Sequence, residues 1–501
     1  MATDGGMTRR GFLKTAAVAA AAVELGGAAA RGADAPATAP AIVPSEKVLI
    51  GFQAEVSYVL QYGIGAFLDD IQNRAGVNVL MLHAVPFVES RAAGGDRTAL
   101  GNFAAAHPEY YGDINMKAQK LGPNDFNLPD AMEKIRAETS KRGMKIYPWM
   151  EEDNRARPRI AGFDTLYEID LHGGRTAAHP GGPCLNNPYF RNLLLGQVED
   201  FVKTYDVDGI QRGSERQGPL GNALGAWHHG AKSDPGKTSC FCEYCAAKAA
   251  KQGIDFEKVK RAFLALEPWV RDGRAGKRPQ DGYYVSFLRM LLQYPELLAW
   301  ENFWAESMRE TQRAVSAKAK QLKPGIEVGY HLWHNISFNP MYRAEQDYAP
   351  YKEYADFLKP VVYDNCAGER MASLVDSLQQ NIFGDLSKQE LLDFEYRVMD
   401  MKEKSYAEIH AGPANQRFSA DYVYGETKRA VEGVAGSKTR ICPGLGIDVQ
   451  IKNSTPESVR EAVAAVFKAG GKGLVVSTSH AAMRPENLSS VGATLKELKV
   501  V

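Results

Sequence analysis

Cysteine is scarce in this chain, with six residues among 501. That excludes a disulfide-framed scaffold, which needs cysteine at far higher density. Neither sign of charge prevails, since 60 Lys and Arg face 60 Asp and Glu. A neutral balance gives no bulk field to attract nucleic acid or an anionic membrane surface, so neither is expected as a partner. No His-Glu-x-x-His pattern is present, which argues against a zinc metalloprotease. No glycine-rich phosphate loop follows the first apolar stretch, because Gly51-Phe-Gln-Ala-Glu55 has the wrong residues for one. The remainder is 45% hydrophobic and 24% charged, an ordinary globular composition. The length suffices for one large barrel or for two or three smaller domains.

The N-terminus reads as an address. Thr8-Arg9-Arg10-Gly11-Phe12-Leu13-Lys14 is a twin-arginine motif ahead of an apolar Ala/Val run. That run is too short and alanine-rich for a good membrane span, so no stable membrane anchor is expected. Small residues between Ala28 and Ala35 offer cleavage sites. The expected layout is a signal peptide over 1–35, a Pro/Ala-rich linker over 36–45 and one catalytic domain over 46–501. The twin-arginine export machinery is then a partner, and the location is periplasmic or secreted. This route carries proteins already folded, so a metal loaded in the cytoplasm is compatible with work outside it.

Past the linker, short apolar stretches alternate with helical patterns. The stretches are 47–52, 77–82, 144–148, 207–210, 326–330, 358–363, 440–445 and 473–477. Helices are expected near 63–74, 127–142 and 186–204, and over 283–322 with a bend at Pro295. Eight strands alternating with helices predict an α/β fold, a (β/α)8 TIM barrel. The segments 253–282 and 367–420 exceed what a barrel needs and read as long loop insertions.

Polar and aromatic residues gather just after these strands, where such barrels display their sites. Cleavage of a glycosidic bond needs one carboxylic acid to protonate the leaving oxygen and a second carboxylate to attack or to activate water. The strand-end candidates are Glu55, Glu151, Glu152, Asp153, Glu215, Asp364 and Asp448. Glu215 stands out because it follows a buried strand and lies between Arg212 and Arg216, which could hold it ionised or orient substrate. Asp448 is the strand-seven choice for its partner and Glu152 the reserve. Trp149, Trp333 and Tyr363 offer flat faces for the apolar side of a sugar ring. His83, His331 and His334 also fall at strand ends, as candidate substrate contacts. Cys240-x-Cys242-x-x-Cys245 places three thiols within six residues, a pattern suited to a structural zinc. A fourth ligand could be Cys184 or a histidine; a disulfide with a spare thiol and three free thiols are the alternatives.

The run Thr238-Ser-Cys-Phe-Cys-Glu-Tyr-Cys-Ala-Ala-Lys-Ala resembles the cysteine loop of the family 42 β-galactosidases, and is similar to that of related hypothetical glycoside hydrolases. The resemblance covers roughly 144–253. It implies Glu215 as acid/base and Cys184, Cys240, Cys242 and Cys245 as ligands of structural zinc. Two places differ: Ser214 stands where that family carries Asn, and Asp448 is the acidic residue near strand seven where the family has Glu. The expectation is an exported glycoside hydrolase-like enzyme acting on a carbohydrate or glycoside. Two other classes follow from the same residues. A non-catalytic carbohydrate-binding barrel would leave no two strand-end carboxylates facing each other. A metal-dependent sugar isomerase or lyase would gather His and carboxylate groups in the barrel mouth.

Overall fold

The computed structural model describes residues 48–83, 104–117, 119–120, 128–151, 162–176, 181–477 and 480–501. The twin-arginine segment, the linker, Glu152 and Asp153 lie outside them. In chain order the described strands are β1 Leu49–Glu55, β2 Val79–His83, β3 Ala104–Ala105, β4 Gln119–Lys120, β5 Lys145–Met150, β6 Gly209–Ser214, β7 Glu327–Leu332, β8 Phe357–Pro360, β9 Arg440–Ile441, β10 Gly444–Gly446 and β11 Gly473–Ser477. Nine of them form one curled parallel sheet in the order β10-β11-β1-β2-β5-β6-β7-β8-β9. β3 and β4 make a small parallel pair of their own.

Each expected apolar stretch forms a strand, but the seventh is split. Ile441 ends β9 and Gly444 opens β10, with Cys442 and Pro443 between. Pro443 has no N–H to give, so a regular ladder cannot run through it. Its carbonyl still accepts from Val475 N–H at 2.9 Å, and Gly444 O accepts from Val362 N–H at 3.0 Å. Residues 440–446 therefore bond to β8 on one side and to β11 on the other.

Alternate strand residues sort into two cores, as a period of two requires. Leu49, Val79, Met81, Tyr147, Trp149, Phe357, Cys442 and Val475 pack together on one side of the sheet. Ile50, Phe52, Leu80, Leu82, Ile146 and Ile210 point the other way, into the large core shared with the helices. The expected bend near Pro295 is a full break between helices Tyr283–Gln293 and Glu296–Leu322. The region 253–282 carries helix Phe256–Arg274, which continues through Pro268. Helix Asp364–Leu378 leads into the second insertion, followed by Lys388–Val398 and Tyr406–His410. Among the described residues no helix is long and apolar enough to cross a membrane.

Candidate active site at the strand ends

β6 sets the site. Its register pairs Gly213 with His331 and Arg212 with Tyr330 on β7, while Trp149 and Met150 of β5 face Gln211 and Arg212. The C-terminal ends of three neighbouring strands thus present Glu151, Glu215 and His331 together. One ligand-type atom from each lies within 4.8 Å of the other two. His331 Nε2 is 3.4 Å from Glu215 Oε1; the His331 side chain is 2% exposed and that of Glu215 47%. One carboxylate therefore reaches solvent while the imidazole behind it does not. Glu151 fits here because Gly213 has no side chain. A Cβ built on Gly213 would sit 2.9 Å from Glu151 Cγ and 3.2 Å from Trp149 Nε1.

Beneath the carboxylates lies a buried polar layer that no sequence pattern singles out. Lys359 of β8 is fully buried. Its Nζ is 2.7 Å from Gln53 Oε1, 3.0 Å from Tyr363 Oη and 3.1 Å from His331 Nδ1. Gln53 Oε1 also accepts from Ser477 Oγ at 2.6 Å, and Gln53 Nε2 donates to Gln211 Oε1 at 2.9 Å. Burial pushes Lys359 down to about 7, against the opposing pull of Glu151 and Glu215. Burial, then the neighbouring Lys359 charge, pushes His331 down to about 4, although Glu215 favours its charged form. In the sequence Lys359 shows only as a lysine inside an apolar run, Leu358-Lys-Pro-Val-Val.

Other predicted residues serve different ends. Trp149 is 8% exposed, its ring centroid 5.0 Å from that of His83 and 6.1 Å from that of His331. Its Nε1, like Gln211 Nε2, is buried with no hydrogen-bond partner among the described residues. Arg212 is buried and donates to Met150 O at 3.3 Å. Arg216 forms a buried pair with Glu168. Trp333 packs against Trp227, His228 and Tyr342. Both nitrogens of His334 are engaged, with Arg370 Nη1 at 2.8 Å and Tyr422 Oη at 3.0 Å. Tyr363 is buried, its hydroxyl against Lys359.

Asp448 follows β10 in the left-handed backbone region, with φ 53°. One carboxylate oxygen accepts from Asn487 Nδ2 at 3.0 Å, the other from Ser454 N–H at 3.2 Å and Arg484 Nη2 at 3.2 Å. Its side chain is 0% exposed. Burial pushes this carboxyl up, but the bonds from Arg484, Asn487 and Ser454 outweigh it and hold it below the usual range. Asp364, likewise buried, pairs with Arg417.

The four cysteines of the predicted set come together. Cys184, Cys240, Cys242 and Cys245 are buried thiols whose sulfurs all lie within 4.8 Å of one another. Cys184 Sγ is 3.5 Å from Cys242 Sγ and 3.6 Å from Cys245 Sγ, contacts far longer than a disulfide. Ile169 N–H points at Cys240 Sγ and Asn186 Nδ2 at Cys245 Sγ, each at 3.4 Å. Cys366 and Cys442 are buried elsewhere.

No family model matches this chain, and no curated protein does. Among solved structures it is similar to the glycoside hydrolase domain of PgaB (BpsB) from Bordetella bronchiseptica, at 11% identity and TM-score 0.46, covering 90% of this chain and 98% of that one. It is also similar to a β-galactosidase from the psychrophilic Marinomonas ef1, at 10% identity and TM-score 0.46, covering 90% of this chain and 59% of that one. A β-1,4-mannanase from the sea hare Aplysia kurodai matches at 11% identity and TM-score 0.38, covering 91% and 94%. At such low similarity the chemistry has to be read from the residues themselves.

Proposed function

We propose that this protein is an exported glycoside hydrolase-like enzyme, acting on a carbohydrate at the C-terminal mouth of a (β/α)8 barrel closed through residues 440–446. The observation that carries the reading is the approach of Glu151 and Glu215, whose nearest oxygens fall within 4.8 Å. Glu215 reaches solvent and is the group to protonate a leaving oxygen and later to activate water. We place the second carboxylate at Glu151, because both oxygens of Asp448 are already committed. Retaining enzymes hold their carboxyls about 5–5.5 Å apart, whereas inversion needs about 6.5–9.5 Å to admit a water. The close spacing therefore favours retention. Trp149 Nε1 and Gln211 Nε2 are buried donors that substrate oxygens would satisfy.

The test is a panel of aryl glycosides and natural glycans with Glu215→Gln and Glu151→Gln. The reading expects measurable cleavage with the anomeric configuration retained, and its loss in both variants. Full activity in both would overturn it.

Glu151, Glu215 and His331 also support a second reading, a divalent cation in the mouth and isomerase or lyase chemistry. Activity that is abolished by chelators and restored by Mn²⁺ or Mg²⁺ would favour it. The cysteine set suits zinc on a separate count. Four buried sulfurs with N–H groups aimed at two of them match a closed structural site, and we assign Cys184, Cys240, Cys242 and Cys245 to it. Such a site would fasten the loop after β6 to the chain around Cys184, leaving catalysis to the carboxylates.

A further inference from the structure

We infer that Lys359 is a positioning residue that fixes which nitrogen of His331 carries the proton, so that His331 turns an Nε2–H toward Glu215 and is withheld from metal binding. The geometry closes from both ends. Lys359 Nζ has three neighbours in reach, Gln53 Oε1, Tyr363 Oη and His331 Nδ1. Below about pH 7, where Lys359 is an ammonium, that group has three protons and no lone pair, so each neighbour must accept. Gln53 Oε1 is an acceptor by nature and a hydroxyl can be one. His331 Nδ1 can accept only if it is bare. A neutral imidazole then carries its proton on Nε2, which lies 3.4 Å from Glu215 Oε1, in ion-pair range but not aligned for a hydrogen bond. From the other end, a Glu215 carboxylate would repel a bare Nε2 and select the same tautomer.

The chain Lys359–His331–Glu215 spans β8, β7 and the end of β6. It leaves His331 no lone pair for a cation, because a metal on Nε2 would require Nδ1 to hold the proton and point it at the Lys359 ammonium. Glu151 and Glu215 alone make a poorer cation site, so this wiring favours acid–base chemistry over the metal reading. The consequence for rate rests on Glu215 as a reacting carboxylate; the tautomer does not.

The experiment is ¹⁵N NMR of the full-length protein labelled in histidine, with the His331 signals assigned by their absence in His331→Gln. Wild-type protein near pH 5.5, above the His331 value of about 4 and below the Lys359 value of about 7, should show Nδ1 unprotonated and Nε2 protonated. Lys359→Met, which keeps chain length and removes the donor, should give a mixture of tautomers. A wild-type Nδ1–H, a cationic ring, or an unchanged tautomer in Lys359→Met would each overturn the inference. So would a switch of the proton from Nε2 to Nδ1 on addition of Mg²⁺. If Lys359→Met does not fold, the wild-type spectrum alone still decides. Where cleavage is measurable, Lys359→Met should lower kcat at least tenfold with KM little changed, and should add nothing to Glu215→Gln. A protein with the expected tautomer and no glycosidase activity would sink the hydrolase reading and leave the wiring intact.

Discussion

At the scale of single residues, the site depends on one absent side chain. Gly213 lies on β6 directly beside the Glu151 side chain. Gly213→Ala would push a methyl group against Glu151 Cγ and Oε1, at 2.9 and 3.0 Å, and the flexible carboxylate would give way before the strand does. Its φ is not in the left-handed region, so the change adds no backbone strain. The expected outcome is a loss of at least tenfold in kcat with only a few degrees lost in Tm, measured by steady-state kinetics and thermal melting. Comparable loss of both would mean that Gly213 serves packing and not the carboxylate. Glu215→Gln separates proton transfer from binding. If Glu215 is the acid, poor leaving groups should slow by about 10²–10⁴-fold and activated aryl leaving groups by much less. Equal, modest losses for both would make Glu215 a sugar contact.

Elements explain why some residues were legible and others were not. Strand positions show in the sequence because a buried parallel strand is a short apolar run between turn residues, and the runs at 207–210 and 473–477 are of that kind. Cys240, Cys242 and Cys245 were legible through their spacing, whereas Cys184 was singled out as the fourth only by the family resemblance. Partners across the sheet were not, because register is a long-range property: Glu151 meets Glu215 only because β5 lies beside β6 and Gly213 makes room. Lys359 stayed hidden for the same reason, since a lysine in an apolar run reads as an interruption until β1, β7 and β8 bring Gln53 and His331 to its Nζ. Asp448 illustrates the converse. Its place after strand seven suggested chemistry, while its left-handed backbone and bonds to Ser454, Arg484 and Asn487 show a carboxylate stapling a loop.

One helix carries a pH dependence of its own. Glu395, in helix Lys388–Val398, is buried, and burial raises its carboxyl from 4.5 to about 8 despite Arg343. Between these values the folded chain holds a proton that the unfolded chain releases. Its contribution is therefore fully present below the unfolded value and is lost as pH rises through about 8. Glu395→Gln removes that proton linkage. From pH 5 to pH 8 the wild type should lose stability relative to the variant, by a difference on the order of a few kcal/mol in urea unfolding. Parallel curves would show that Glu395 does not titrate in this way.

On the scale of the whole molecule, the four-cysteine cluster and the twin-arginine motif make a joint demand. Buried thiols within 4.8 Å of one another are exposed to oxidative pairing in any compartment that forms disulfides. A metal bound before export would protect them, and twin-arginine export of a folded chain allows that order of events. Replacing Arg9 and Arg10 together with Lys should leave the protein in the cytoplasm, seen by cell fractionation; unchanged export would sink the assignment of the N-terminus. Protein recovered from outside the cytoplasm should then contain about one zinc per chain by elemental analysis, with all four thiols unavailable to titration until a denaturant and chelator are added. Cys242→Ser should lose metal and stability together, because binding free energy at such a site is also folding free energy. The loss should appear because Cys240, Cys242 and Cys245 lie in the loop that follows Glu215, which a bound metal would fasten to Cys184. Recovery of metal-free protein with free thiols and full stability would mean that apolar packing alone holds that loop.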